Sequence, residues 1–339
     1  MSGASVDTGR TFWGGSSGGR WATERMVAAM KAGRQMSTKE LRGLDTLRKD
    51  EWKSFDNVLV REAQIRLRAV ADLYAAGLTK PISGGLGKTM HEYEKMTDMT
   101  PAIMSMDGNV RSDNDRVDFE LDGIPLPIIH KDFDIQLRTL QASRNGGDPL
   151  DTIQIEQCGR RIAEKLEDLL INGTSKLYGG RAIYGYTTFP GRIEESFGAG
   201  GSWDQTAKTG DQIIDDILTM KASLHSNRRF GPYWLYVPGD ADVRLDLDFK
   251  ADGTVTRRGR ILQIEGITKI TTLDTLASGN VVMIQPTRET VELLTAVPLQ
   301  NIQWDMNGGF TIAFKSFTVQ IPLLRTDAAG RSGIVHMHT

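Results

Sequence analysis

One cysteine, Cys158, stands in a chain of 339 residues, so no intramolecular disulfide framework is available; this fits assembly in a reducing cytosol. No run of 18 or more apolar residues occurs, which predicts the absence of a membrane-spanning helix. The first residues lack the apolar core of a secretion signal. Charge of one sign is also lacking: the formal net charge is −2, which gives no overall signal for a polyanionic partner. Histidine is sparse, with His91, His130, His225, His336 and His338 scattered along the chain. Only the terminal His-Met-His pair is close in sequence, and a designed metal site needs more ligands than that.

What is present begins with structure rather than chemistry. Asp148 and Pro149 carry the signature of a helix start, a capping side chain followed by a residue whose missing N–H costs nothing. Asn172 and Gly173 tolerate the left-handed conformation that closes many helices. Residues 149–171 then make a helix of roughly 35 Å at 1.5 Å per residue. Ile155, Cys158, Ile162, Leu166, Leu169 and Leu170 recur at three- and four-residue steps as one apolar stripe, and Cys158 reads there as a small buried hydrophobe. An extended segment, Ile124 to Phe133, leads towards this helix.

Around that beam the pattern varies. Residues 1–20 are rich in Gly and Ser, and residues 1–42 hold seven Lys or Arg against three acids, a surplus consistent with a solvated arm or with weak nucleic-acid contact. Ser37 to Glu40 forms a capping-box pattern. A helix is predicted over 48–76, with Trp52, Phe55, Leu59, Ala63, Leu67, Val70 and Tyr74 on one face and Gly77 ending it. From 78 to 123 periodicity dissolves, and the alternation of Val117, Phe119 and Leu121 predicts a strand returning from a hairpin arm laid on a neighbouring subunit. The second half predicts a helix over 211–224, a strand over 233–237, a helix near 240–250 and a loop over 251–260. Strands follow at 267–272, 281–285, 290–294 and 310–321.

Candidate chemistry is thin. Ser83 to Thr89 ends like a phosphate-binding loop, but Ile82 stands where the first Gly is required and no persuasive acidic strand follows. A glycine-rich arm is the reading preferred there; a nucleotide-dependent enzyme would rest on these residues alone. His130, beside Asp132, reads as a packed or hydrogen-bonded polar side chain. Asp113 and Asp115 lack the Gly and Glu of a calcium loop, and no Gly-x-Ser-x-Gly elbow is present. The expectation is therefore no catalytic residue, no metal ligand, no cofactor and no enzymatic activity.

The order of features resembles the Hong Kong 97 phage capsid fold, in its encapsulin-like branch. The resemblance is carried by Leu47 to Trp52 opening a helix, a long arm, and then Leu126 to Phe133. It continues through Asp151, the pair Glu167-Asp168 before Gly173, Ile183-Tyr184-Gly185, Phe230 to Val237 and the strand over 310–324. Each motif is short; their colinear order over residues 47–325 is what makes the match specific.

The resemblance implies an α+β fold with an N-terminal arm (1–46), an amphipathic helix (47–77) and an extended E-loop (78–123). The P-domain would follow at 124–205 with its spine helix 149–171, then an axial A-domain (206–285), with 286–339 returning to the P-domain. It implies a major capsid protein that self-assembles through pentamers and hexamers into the icosahedral head of a tailed phage, assembled in the host cytoplasm and carried in the virion. Partners would be further copies of the chain, a portal, scaffolding or decoration proteins, and packaged double-stranded DNA held by weak non-specific contact. Near-neutral charge suits such a container, because a strongly basic lining would grip the genome. The alternative is an encapsulin compartment enclosing a cargo enzyme; the additional N-terminal arm of about 46 residues favours the phage head.

Overall fold

The computed structural model describes residues 58–59, 61, 67–106, 109, 116–146, 153–250, 253 and 255–339. The chain divides into two compact units. The larger takes in Val60–Lys131, Gly159–Gln300 and Phe317–Thr339; the smaller includes Asp132–Cys158 and Asn301–Ser316. The predicted arm over 1–46, the capping box at Ser37, most of the helix over 48–76 and the Asp148-Pro149 helix start lie outside the described residues.

The elements run α1 (Ala69–Ala75), β1 (Thr79–Pro81), β2 (Met90–Met96), β3 (Phe119–Pro125), β4 (Ile129–Gln136), α2 (Leu137–Gly146) and α3 (Ile153–Ile171). They continue with β5 (Thr174–Tyr178), β6 (Arg181–Ile183), β7 (Ile193–Ser196), α4 (Gly210–Ser226), β8 (Tyr233–Pro238), α5 (Gly239–Leu245) and α6 (Arg257–Leu262). The chain closes with β9 (Ile267–Leu273), β10 (Asn280–Ile284), β11 (Val291–Met306), β12 (Thr311–Leu324) and β13 (Ile334–His338).

The larger unit is organised on a five-stranded mixed sheet in the order β7-β13-β10-β8-β9. Both faces are covered, which explains why β8 and β10 read as continuous apolar runs. Val335, Met283 and Leu235 stand side by side across three strands. Their face packs against Ile213, Ile217, Met220 and Leu224 of α4 and against α5 and α6. The alternate row, His336, Val282 and Tyr236, shares the other face. There Val282 and Tyr236 join Ala69, Val70 and Leu73 of α1, Leu170 and Ile171 of α3, and Tyr186. Tyr186 and Tyr236 stack with ring centroids 5.9 Å apart. Helix α4 is locally specified as well: Thr209 and Gln212 form a complete capping box.

The end of α3 is a close crossing in the larger unit. A helix leaves its last carbonyls without internal partners. Tyr186 N–H donates to Leu170 O (3.0 Å) and Thr187 N–H to Ile171 O (2.9 Å), while the Thr188 hydroxyl donates to Asn172 O (3.0 Å). Such close approach requires glycine on both strands of the crossing. A Cβ on Gly173 would stand 2.5 Å from Ile183 O, and one on Gly185 2.4 Å from Gly173 N. Gly173 also has φ +67°, the left-handed region expected of a helix-closing glycine. One turn earlier, Glu167 reaches back to α1. Its carboxylate accepts from Ala69 N–H (2.7 Å) and Val70 N–H (3.3 Å), capping a helix 98 residues away in sequence. Burial pushes the Glu167 carboxyl pKa up, and these backbone donors pull it back.

A buried ion pair pins the segment that precedes α4. The Lys208 side chain is completely buried, with Nζ 2.7 Å from Asp216 Oδ2. Lys208 also donates to Ala199 O (2.9 Å), and Asp216 accepts from Trp203 Nε1 (2.8 Å) and Gly198 N–H (3.0 Å). Every polar atom of the pair thus has a partner, the condition under which buried charges are tolerated.

In the smaller unit β4 carries Phe133, which stacks on Phe314 of β12 at 4.9 Å, and Asp132, which pairs with Lys315 at 3.4 Å. Leu137 and Leu140 of α2 are buried, and Leu137 N–H donates to Phe310 O (2.9 Å). A four-stranded sheet has the order β1-β11-β12-β4.

Several expectations need correction. The strand predicted over 290–294 runs on to Met306; its second half alternates intermediate and exposed positions, so pairing rather than an apolar run extends it. The loop predicted over 251–260 contains the start of α6, with Thr256 capping Gly259 N–H at 3.2 Å and Ile261 buried. The helix α2 and the β5–β6 hairpin are additions to the predicted set. The predicted apolar stripe of the long helix is buried at all six positions, and Cys158 is among them.

Candidate assembly surface

The arm predicted from 78 to 123 contains an antiparallel hairpin: β2 pairs with β3 from Met90↔Pro125 to Met96↔Phe119. At its root it is fixed by charge. Asp122 accepts from Tyr93 Oη (3.1 Å), pairs with Lys95 (2.5 Å) and is clamped by Arg181 of β6, which also donates to Gly123 O (3.2 Å). Beyond that root the hairpin has little to pack on. Met96, Met99, Ile103, Phe119 and Leu121 are all more than half exposed, and Met104 and Met106 are fully so. An apolar concentration of this kind on a folded chain marks an interaction surface, and methionine is a side chain that adapts to irregular partners. A groove of about 1160 Å³ lies alongside, lined by residues of β2, β3, β6 and the segment 322–330.

The residues singled out in the sequence fall elsewhere or into structural roles. Ser83 to Thr89 follows β1, makes one 3-10 turn at Gly85–Gly87 and runs into β2. A phosphate-binding loop of the recognised kind opens a helix instead. Asp113 and Asp115 lie outside the described residues. His130 is exposed on β4. The His336–His338 pair lies on β13, an inner strand between β7 and β10. Among the described residues no cluster of His, Cys, Asp and Glu could hold a metal, and no helix is long and apolar enough to cross a membrane.

His336 is buried and doubly engaged: Arg192 Nε donates to its Nδ1 (3.4 Å), and its Nε2 meets Asn280 Oδ1 at 2.8 Å. That pattern specifies the neutral ring, with the proton on Nε2. Burial, followed by the charges of His338 and Arg192, lowers its pKa to about 4. A histidine depressed below its unfolded value stabilises the fold fully above about pH 6.5, and that contribution is lost as pH falls towards 4. The loss approaches about 3 kcal/mol, from 1.36 kcal/mol per unit. Urea titrations between pH 7 and 4 should show this slope and lose it in His336→Asn; an unchanged slope in the variant would assign the effect elsewhere.

The comparisons with known proteins follow this geometry. The fold is shared with a virus-like particle protein from Pyrococcus furiosus (13% identity, covering 85% of this chain and 99% of that one, TM-score 0.56). It is shared also with the capsid protein of Myoviridae phage XM1 (14% identity, 78% and 91% covered, TM-score 0.60). The chain therefore has the Hong Kong 97-type capsid fold, as its motif order implies. In sequence it is 23% identical over 240 residues to the type 1 encapsulin shell protein EncA of Myxococcus xanthus, covering 69% of this chain and 71% of that one. With residues 41–337 matched by its family model, the chain belongs to the family described as "Family of unknown function (DUF6260)".

Proposed function

We propose that this chain is a major capsid protein, building a closed icosahedral shell that forms the head of a tailed phage around double-stranded DNA. The observation that carries this reading is the β2–β3 hairpin, which presents fully exposed methionines on a fold shared with shell proteins. A second copy is the natural cover for such a surface, and head-to-tail repetition of one contact generates rings wherever the rotation closes. In this reading residues 78–123 are the intersubunit arm, 149–171 the spine helix of the P-domain and 206–285 the axial domain. The role is structural, with portal, scaffolding or decoration proteins as further partners. A cargo-enclosing compartment is the second reading, supported by the similarity to the Myxococcus encapsulin shell protein.

Electron microscopy of the purified chain after size-exclusion chromatography tests the proposal. Closed shells or capsomer-sized rings are expected, and their diameter and contents distinguish DNA-filled heads from cargo compartments. Met99, Met104 and Met106 changed together to Ser should leave the chain folded and abolish particles. At about 1.5–3 kcal/mol per buried side chain, each contact loses ~5 kcal/mol or more, repeated over every contact of the shell. Normal particles from that variant would sink the arm assignment.

A further inference from the structure

At the root of the hairpin several cations gather, and the nearby carboxylates Asp122 and Glu292 are already paired with Lys95, Arg181 and Arg325. His91 and Tyr93 stand two residues apart on β2 and so project from one face. Arg325, just past β12, lies over the Tyr93 ring with its guanidinium carbon 5.6 Å from the centroid. Lys80 of β1 pairs in register with Leu294, two residues from Glu292 on the same face of β11, and lines the groove together with Tyr93 and Arg325. Lys88 enters from the turn just before β2. His91 feels the positive charges of Lys80, Lys88 and Arg325 against one opposing carboxylate, Glu292. Glu292 is already committed to Arg325 at 2.8 Å. Lys80 and Lys88 have no ion-pair or hydrogen-bond partner among the described residues.

The second observation is independent of charge. His91 is 9% exposed, and both of its ring nitrogens are buried with no hydrogen-bond partner; Arg325 Nε is in the same condition. A neutral imidazole always carries one N–H, and a buried donor without an acceptor is costly enough to be rare. Unpaired donors beneath a surplus of cations are complementary to an acceptor that brings negative charge.

We propose that Lys80, Lys88 and Arg325, above His91, form an oxyanion-binding site for a carboxylate or phosphate group. The lysine ends and the guanidinium supply charge-assisted donors to the oxygens. His91 forms the floor, and Tyr93 and Glu292 hold Arg325 in place. The occupant is either a free phosphate or an acidic side chain of another copy; Glu94 and Glu120, exposed along the same hairpin, are candidates of the second kind. The site belongs to the single chain and does not depend on the shell reading.

Inorganic phosphate is the probe, titrated calorimetrically into the unassembled full chain with sodium chloride adjusting every point to one ionic strength. Saturable binding near one equivalent per chain is expected, with a shift of the His91 ring nitrogen resonances. Lys88→Gln should weaken binding roughly tenfold or more, the worth of one charge-assisted hydrogen bond. Lys221→Gln, on α4 with its amine on Glu265 O, should not. Neither lysine is buried, so both variants are expected to fold, which circular dichroism checks. Phosphate behaving as chloride does, or a Lys80→Gln/Lys88→Gln chain binding as the parent does, overturns the proposal. Repeating the titration on assembled particles identifies the occupant. Binding retained supports a free oxyanion, and binding lost, with phosphate slowing assembly, supports a carboxylate from a neighbouring copy.

Discussion

Gly185→Ala should lower the urea midpoint and the yield of folded protein sharply, although it adds a single methyl group. The added carbon would stand 2.4 Å from Gly173 N and 2.5 Å from Ile171 O, distances at which backbone must move. Those atoms cannot shift freely, because the same segment satisfies the carbonyls of Leu170 and Ile171 at the end of α3. Overpacking ordinarily costs 1–3 kcal/mol; with backbone on both sides, about 3 kcal/mol or more is expected here. Total stabilities are only about 5–15 kcal/mol. Gly239→Ala is the control, since a Cβ there meets nothing within 4 Å and the residue opens α5. That change should be neutral or slightly stabilising. Equal yields and equal urea midpoints for the two variants would refute the close-crossing account.

Lys208→Met should be the second large effect. The methionine keeps the length and apolar stem of the lysine, so packing is nearly preserved and the charge is what disappears. Asp216, 3% exposed, would then hold a carboxylate in the interior with only Trp203 Nε1 and Gly198 N–H as donors. Removing one partner of a buried pair costs about 3–5 kcal/mol because the other charge is stranded. Adding Asp216→Asn removes that stranded charge and leaves an oxygen able to accept from Trp203, so the double variant should recover much of the loss. A double-mutant cycle by urea unfolding measures it, and additive losses would show that the pair is not energetically coupled.

The architecture was legible where periodicity and burial coincide. The stripe from Ile155 to Leu170, the run from Tyr233 to Val237 and the alternation leading to Leu324 each face an apolar core, so composition reports them directly. What was illegible depends on partners distant in sequence. The second half of β11 alternates Ile302, Trp304 and Met306 with Gln303 and Asp305, but that apolar row is exposed, so it faces no core of its own. In α6 the Arg257-Arg258-Gly259-Arg260 run hides a one-anchor helix behind loop-like composition. Glu167, legible as part of an acidic pair near a helix end, gave no sign that it caps another helix. The hairpin could be foreseen from Val117, Phe119 and Leu121, but the cations converging on His91 could not. Lys80 and Arg325 line one groove only when β1, β2 and the segment after β12 come together.

Cys158 gives the molecule a clock of its own. As the only thiol in the chain, and one buried on α3, it reacts with an added thiol reagent only as fast as that helix lifts from its surroundings. Each opened chain gains one mass increment. The rate of that gain, compared between isolated chains and any assembled form, reads how far neighbours restrain the helix, with no engineered label to disturb either state.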